Sequence, residues 1–229
     1  SGALLDGGAG VDNLLTSTGS TTKELFVGGL GNDSITTNGG ADIIAFNLGD
    51  GQDTVNIGTS SGMDNTLSLG GAIQYSSLTL TKSGNNLVLN VNATDKLTFS
   101  NWYAAPANRS VGTLQVIAEA MAAFDAQSSD PLLNKKVQSF DFDALVDAFD
   151  AAGQVSGWAL TNALLASHLA GADDSAIGGD LTYQYGLNGN FNNVGTTGAQ
   201  NVLSTTSFGT AQQLFQSSST LQQGISLAG

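Results

Sequence analysis

Large apolar residues recur along the first 65 positions at intervals of nine or slightly more, at Leu5, Leu14, Phe26, Ile35, Ile44 and Val55. Leu14, Ile35, Ile44 and Val55 each follow a stretch rich in Gly, Asn or Asp, so the pattern is one of short strands separated by tight turns. One such strand buries nothing alone. Stacked copies would place these side chains in a single apolar column. From residue 66 the spacing becomes alternating, and Thr66 to Leu69, Leu78 to Thr81, Asn86 to Val91 and Lys96 to Phe99 read as strands separated by turn signals such as Ser83-Gly84-Asn85. Beyond residue 104 it changes again, to three- and four-residue steps. Leu114, Ile117, Met121 and Phe124 predict one helix, and Pro131 opens a short second through Val137. Phe142, Leu145, Val146 and Phe149, behind a Ser139 or Asp141 cap, predict a third. Trp158, Leu164, Leu165 and Leu169 predict a fourth, from Ser156 to Gly171.

The turns carry the chemistry. Residues 7 to 15, Gly-Gly-Ala-Gly-Val-Asp-Asn-Leu-Leu, return at 28 to 36 as Gly-Gly-Leu-Gly-Asn-Asp-Ser-Ile-Thr. Glycines at the first, second and fourth positions permit positive φ and a tight bend, which lets carbonyl oxygens converge. The aspartate at the sixth position adds a hard carboxylate oxygen. Such mixed oxygen sets suit calcium, which takes about six to eight oxygens. Looser copies place Glu24 at the acidic position of residues 19 to 27, Gly40 and Asp42 in 37 to 45, and Gly51 and Asp53 in 48 to 56, with Asp50 as an extra candidate. The weakest copy ends with Gly62 and Asp64. The candidate calcium ligands are therefore Gly8, Gly10, Asp12, Glu24, Gly29, Gly31, Asp33, Gly40, Asp42, Asp50, Gly51, Asp53, Gly62 and Asp64. With two copies per coil, Asp12, Asp33 and Asp53 fall on one edge, and Glu24, Asp42 and Asp64 on the other. The alternative is an ordinary β-meander whose aspartates support turns without metal.

Charge sharpens this picture. The chain holds 19 acidic and 6 basic residues, a net charge of -13, and Lys23 is the lone base before residue 65. Stacked acidic turns would repel one another unless cations neutralised them, which predicts folding on calcium binding. The acidic balance argues against nucleic acid as a partner. Cysteine is absent, which excludes disulfides and thiolate metal sites. No apolar run is long enough to span a membrane, and no secretory signal peptide opens the chain. Ala3 and Leu5 already occupy the sixth and eighth positions of a preceding copy, so the chain is expected to be the C-terminal piece of something longer.

The repeated phrase resembles the calcium-binding nonapeptide of the RTX, or repeats-in-toxin, family. The resemblance continues in Leu67-Ser68-Leu69-Gly70-Gly71, Ser77-Leu78-Thr79-Leu80, Gly84 to Leu89, Leu97-Thr98-Phe99 and Asn101-Trp102-Tyr103, which look like the haemolysin-type segment that follows such repeats. Asn86 stands where many relatives have aspartate. Ala118 to Phe124, Phe140-Asp141-Phe142 and Gly179 to Gly186 are similar to the C-terminal region of large surface proteins and adhesins of Gram-negative bacteria. The expected fold is β plus α: a right-handed parallel β-roll over 1–65, a β cap over 66–104, an α-helical subdomain over 105–180, and an uncharged C-terminal tail over 181–229. The resemblance implies a secreted or cell-surface location, and a type I secretion signal in the tail, where no Asp, Glu, Lys or Arg follows Asp180.

Other candidate features read as structural. Asp141, Asp143, Asp147 and Asp150 lack the glycine and glutamate of an EF-hand, since Val146 and Ala152 hold those places, and read as helix-end and surface acids. Trp102 and Tyr103 read as core or cap in preference to a binding surface, and His168, the lone histidine, as a surface or core residue. No HExxH, Walker loop or Gly-x-Ser-x-Gly elbow occurs. The expectation is a noncatalytic calcium-binding module of a secreted adhesin, surface-layer or matrix-forming protein. Its alternative is the export-and-folding region of an RTX enzyme or toxin. Expected partners are calcium, the type I secretion machinery, and a further copy or a cell-surface ligand.

Overall fold

The computed structural model describes residues 2–58 and 64–215. The chain begins with three coils, each crossing from one sheet to another. The first contains β1 (Gly2–Asp6), β2 (Ala9–Gly10) and β3 (Asn13–Leu15). The second contains β4 (Lys23–Val27), β5 (Leu30–Gly31) and β6 (Ser34–Thr37), and the third β7 (Ile43–Asn47) and β8 (Gln52–Ile57). Next come β9 (Asn65–Gly70), β10 (Thr79–Ser83), β11 (Asn86–Asn90), β12 (Lys96–Phe99) and β13 (Val111–Ile117). Then follow β14 (Val137–Asp141), α1 (Phe142–Ala152), β15 (Trp158–Ala159), β16 (His168–Ala172) and β17 (Ser175–Ile177). The described chain closes with α2 (Gly179–Asn188), α3 (Gly195–Ser204) and β18 (Gln212–Leu214).

Two seven-stranded sheets result, ordered β1-β4-β7-β9-β13-β14-β16 and β15-β10-β11-β12-β8-β6-β3. Strands β1, β4, β7, β9 and β13 pair in parallel, as do β3, β6, β8 and β12, so the molecule is mostly β with a solenoid-like stack. Phe26, Ile35, Ile44, Val55 and Leu67 form the apolar column between the sheets, all essentially inaccessible. Helix α1 closes this column with Phe142, Leu145, Val146 and Phe149. Its start is set by Asp141, whose side chain accepts from the Ala144 N–H at 2.9 Å, and its end by Gly153 at φ 68°.

Residues 66 to 104 do more than cap the roll. Strands β9 and β12 extend both parallel sheets by another coil, and the β10-β11 hairpin is inserted between them. The four strands expected there are present with shifts of a residue or two.

The expected α-helical subdomain is corrected. Of its four helices only α1 is an α-helix. Residues 111–117 form β13, because β9 offers an open parallel edge and both faces of the new strand become buried. Leu114 and Val116 enter the column, while Gln115 and Ile117 face α2. The apparent helical spacing there is what burial on both faces produces. Residues 131–136 are turns leading into β14, and 156–171 hold β15, a single 3-10 turn (Leu160–Asn162) and the start of β16.

The uncharged segment is folded as far as Phe215. Helices α2 and α3 cover the outer face of the first sheet, burying Leu25, Val27, Ile43 and Ala45 against Leu181, Tyr185, Val202 and Phe208. The expected boundary at residue 180 cuts through α2. Close approach at Gly70, where a β-carbon would strike the Gly186 backbone, lets helix and sheet meet.

Candidate metal centre

Two columns of side chains run along the two edges of the coils. On the first edge, Asp33 Oδ1 accepts the Asp12 N–H at 2.8 Å, and Asp53 Oδ1 accepts the Asp33 N–H at 2.9 Å. On the second, Asp42 Oδ1 accepts the Glu24 N–H at 2.9 Å, and Asn65 Oδ1 accepts the Asp42 N–H at 2.8 Å. Each carboxylate is thus fixed by the coil before it. The repeated residue is the one that enters or begins the next strand, so strand pairing sets the acids in register.

The second oxygen of these carboxylates is the notable atom. Asp12 Oδ2, Glu24 Oε2, Asp33 Oδ2 and Asp42 Oδ2 are buried without a hydrogen-bond partner. Leaving a buried oxygen unpaired costs about 1–3 kcal/mol, more when it is charged. Burial pushes the carboxyl of Asp42 up to about 8 and that of Asp53 up to about 7, and it raises Glu24 and Asp33 as well, with neighbouring acids adding to the rise at Asp33, Asp42 and Asp53. No base relieves them: ion pairs among the described residues join Arg109 to Asp147 and Asp150, Lys135 to Asp173, and Lys136 to Glu119.

The glycines make room for this arrangement. A β-carbon on Gly28 would lie 2.5 Å from Asp33 Oδ2 and 3.0 Å from Asp53 Oδ2, and one on Gly7 would lie 3.0 Å from Asp12 Oδ2. Two carboxylate oxygens from successive coils therefore converge on the bare Cα of Gly28. The sequence pattern names Gly7 and Gly28 as turn glycines without marking them as part of the site. Gly8, Gly10, Gly29, Gly31, Gly40 and Gly51 all have positive φ. Side chains at Gly29, Gly31 and Gly51 would strike the carbonyls of Gly8, Gly10 and Gly31, so these turns nest directly on one another.

Two candidates are placed differently from the sequence reading. Asp64 is exposed, beside Gly112 and Arg109, and the third place on the second edge belongs to Asn65. Asp42 and Asn65 stand 23 residues apart, five more than the eighteen that separate Glu24 from Asp42. Asp50 lies by the first edge, but its Oδ2 accepts from the Asn47 N–H at 2.7 Å and the Tyr185 hydroxyl at 3.1 Å. Burial raises its carboxyl to about 6. Gly62 falls outside the described residues.

Residues read as structural take structural places. Trp102 is buried against Phe99 and Phe142, and the Tyr103 hydroxyl donates to Asp150 at 2.9 Å. His168 Nε2 lies 2.8 Å from Gln138 Oε1. Asp147 and Asp150 hold Arg109.

Among the described residues, no group of three or more His, Cys, Asp or Glu side chains is placed to hold a metal by itself. Any cation here needs backbone carbonyls as well, which glycine turns can supply. No protein-family model and no curated protein matches the chain. No helix among the described residues is long and apolar enough to cross a membrane.

Proposed function

We propose that both columns bind calcium and that the chain is a noncatalytic calcium-folded β-roll of a secreted RTX-type surface protein, such as an adhesin, surface-layer or matrix-forming protein. The observation that carries this reading is the set of buried, unpartnered oxygens on Asp12, Glu24, Asp33 and Asp42, in register along two edges. These residues, with Asp53 and the turn carbonyls, would hold the ions. Hard carboxylate and carbonyl oxygens suit calcium, and the absence of Cys and of any histidine on the columns disfavours softer metals.

Calcium would supply the positive charge that these acids lack. An ion that binds the folded chain and not the unfolded one adds its binding energy to folding. At low calcium inside a cell the carboxylates would oppose stacking and leave the chain in a state suited to export by a type I system. At millimolar calcium outside, the coils would close. Circular dichroism during calcium titration and subsequent chelation tests this directly. The expected result is β-structure gained with calcium and lost with chelator; full β-structure in chelator at neutral pH would sink the proposal.

A further inference from the structure

Helix α2 rests on the turns of the first edge. The turn between β7 and β8 meets it at two side chains. Asn47 Nδ2 donates to the Tyr185 carbonyl at 2.8 Å, and Asp50 Oδ2 accepts the Tyr185 hydroxyl at 3.1 Å as well as the Asn47 N–H at 2.7 Å. The turn after β9 adds the Gly71 N–H, which donates to the Gly186 carbonyl at 2.6 Å. Asp50 is also part of the edge itself. It is 4% exposed, its carbonyl accepts the Gly31 N–H of the preceding coil at 2.8 Å, and the charges of Asp95 and Asp33 press on its carboxyl. One carboxylate therefore touches both the acidic edge and the helix that covers the first sheet.

We infer that Asp50 and Tyr185 form a calcium-operated latch, through which an ion on the first edge fixes α2, and α3 packed beside it, over the first sheet. The inference rests on the calcium reading above and names what that edge controls. Without a cation, repulsion among Asp33, Asp50, Asp53 and Asp95 pushes the β7–β8 turn away from the helix it supports. With one, the turn closes and the phenol meets a carboxylate held in place, and hydrogen bonds to a charged acceptor are the stronger kind. Releasing the latch would bare Leu25, Val27, Ile43 and Ala45, the apolar strip beneath the helices. The coupling has to run both ways, so a docked α2 that holds Asp50 also strengthens ion binding.

The same helix supplies the control. Tyr183 donates its hydroxyl to Glu119, a carboxylate that pairs with Lys136 and belongs to neither column. Tyr185→Phe and Tyr183→Phe thus each remove one phenol–carboxylate bond from α2, and the latch requires that only the first should sense the ion. Urea denaturation, at calcium concentrations that dichroism shows to fold each protein, measures both changes alone and combined with Asp33→Asn. Tyr185→Phe is expected to lower the folding constant about fivefold, equivalent to about 1 kcal/mol, and less than about twofold once Asp33→Asn has weakened the ion site. Tyr183→Phe should act by the same factor in both backgrounds. Should Asp33→Asn not fold, stopped-flow release of calcium to a chelating dye decides, with Tyr185→Phe about fivefold faster and Tyr183→Phe unchanged. Equal factors for Tyr185→Phe in both backgrounds, or equal release from the two variants, would overturn the latch and leave the calcium reading standing. Loss of any calcium-dependent dichroism in the unmodified chain would sink both.

Discussion

Asn65 and Asp64 are neighbours in sequence with opposite surroundings, one inaccessible and bonded to the Asp42 N–H, the other exposed. Asn65→Ala would leave a buried backbone donor unpaired and is expected to lower stability by about 1–3 kcal/mol. Asp64→Ala should stay within about 0.5 kcal/mol, as surface changes usually do. Urea denaturation of the two variants in calcium decides between them, and equal effects would remove Asn65 from the column. Charge and hydrogen bonding can be separated at Asp33. In Asp33→Asn an amide oxygen can still accept the Asp12 N–H, yet the anion is gone. The calcium midpoint for folding should rise at least about tenfold, whereas Asp143→Asn should leave it in place. Gly28→Ala is expected to be as damaging as Asp33→Asn, since its methyl would occupy the space of two carboxylate oxygens.

At the scale of elements, what the sequence discloses depends on whether the cause is local. Gly7 to Asp12 and Gly28 to Asp33 state their own turn chemistry, so the coils and most of the acidic register could be read from spacing. Asn65 could not, because it stands 23 residues after Asp42 where the previous step is 18, and because it is an amide beside an acid, Asp64, that fits the pattern better. Strand β13 was hidden for a different reason: α2, about 70 residues onward, covers its outer face and erases the alternation that marks a half-exposed strand. Helix α1 was legible since its cap, its apolar face and its closing glycine lie within a dozen residues. The same locality makes its energetics simple. Asp141→Ala should cost about 1 kcal/mol through the lost cap, and Phe149→Ala about 3–5 kcal/mol through the cavity left in the column. Thermal denaturation checks both, and a Phe149→Ala loss under 1 kcal/mol would mean that α1 does not close the core.

For the whole molecule, protons are the positive charge available to the buried acids when no metal is bound. The carboxyls of Asp42, Asp53 and Asp50 are raised by burial to about 8, 7 and 6, from an ordinary value near 4. Between those limits the folded chain binds more protons than the unfolded one, so the stability of the metal-free protein falls as pH rises from about 4 to about 8. In chelator, the melting temperature should therefore be higher at pH 5 than at pH 8. Calcium bound as proposed would reverse the sign, because protons would then compete with the ion for the same oxygens and acidification would displace it. Melting curves with and without calcium across this window should slope in opposite directions and converge toward the acidic end. Tyr185 ties the C-terminal helices to this behaviour through its hydrogen bond to Asp50. Tyr185→Phe should loosen α2 without abolishing the calcium response, seen as faster amide exchange in α2. Parallel slopes in the two conditions would mean that the buried acids do not sense the ion, and the calcium columns would have to be abandoned whatever the repeats suggest.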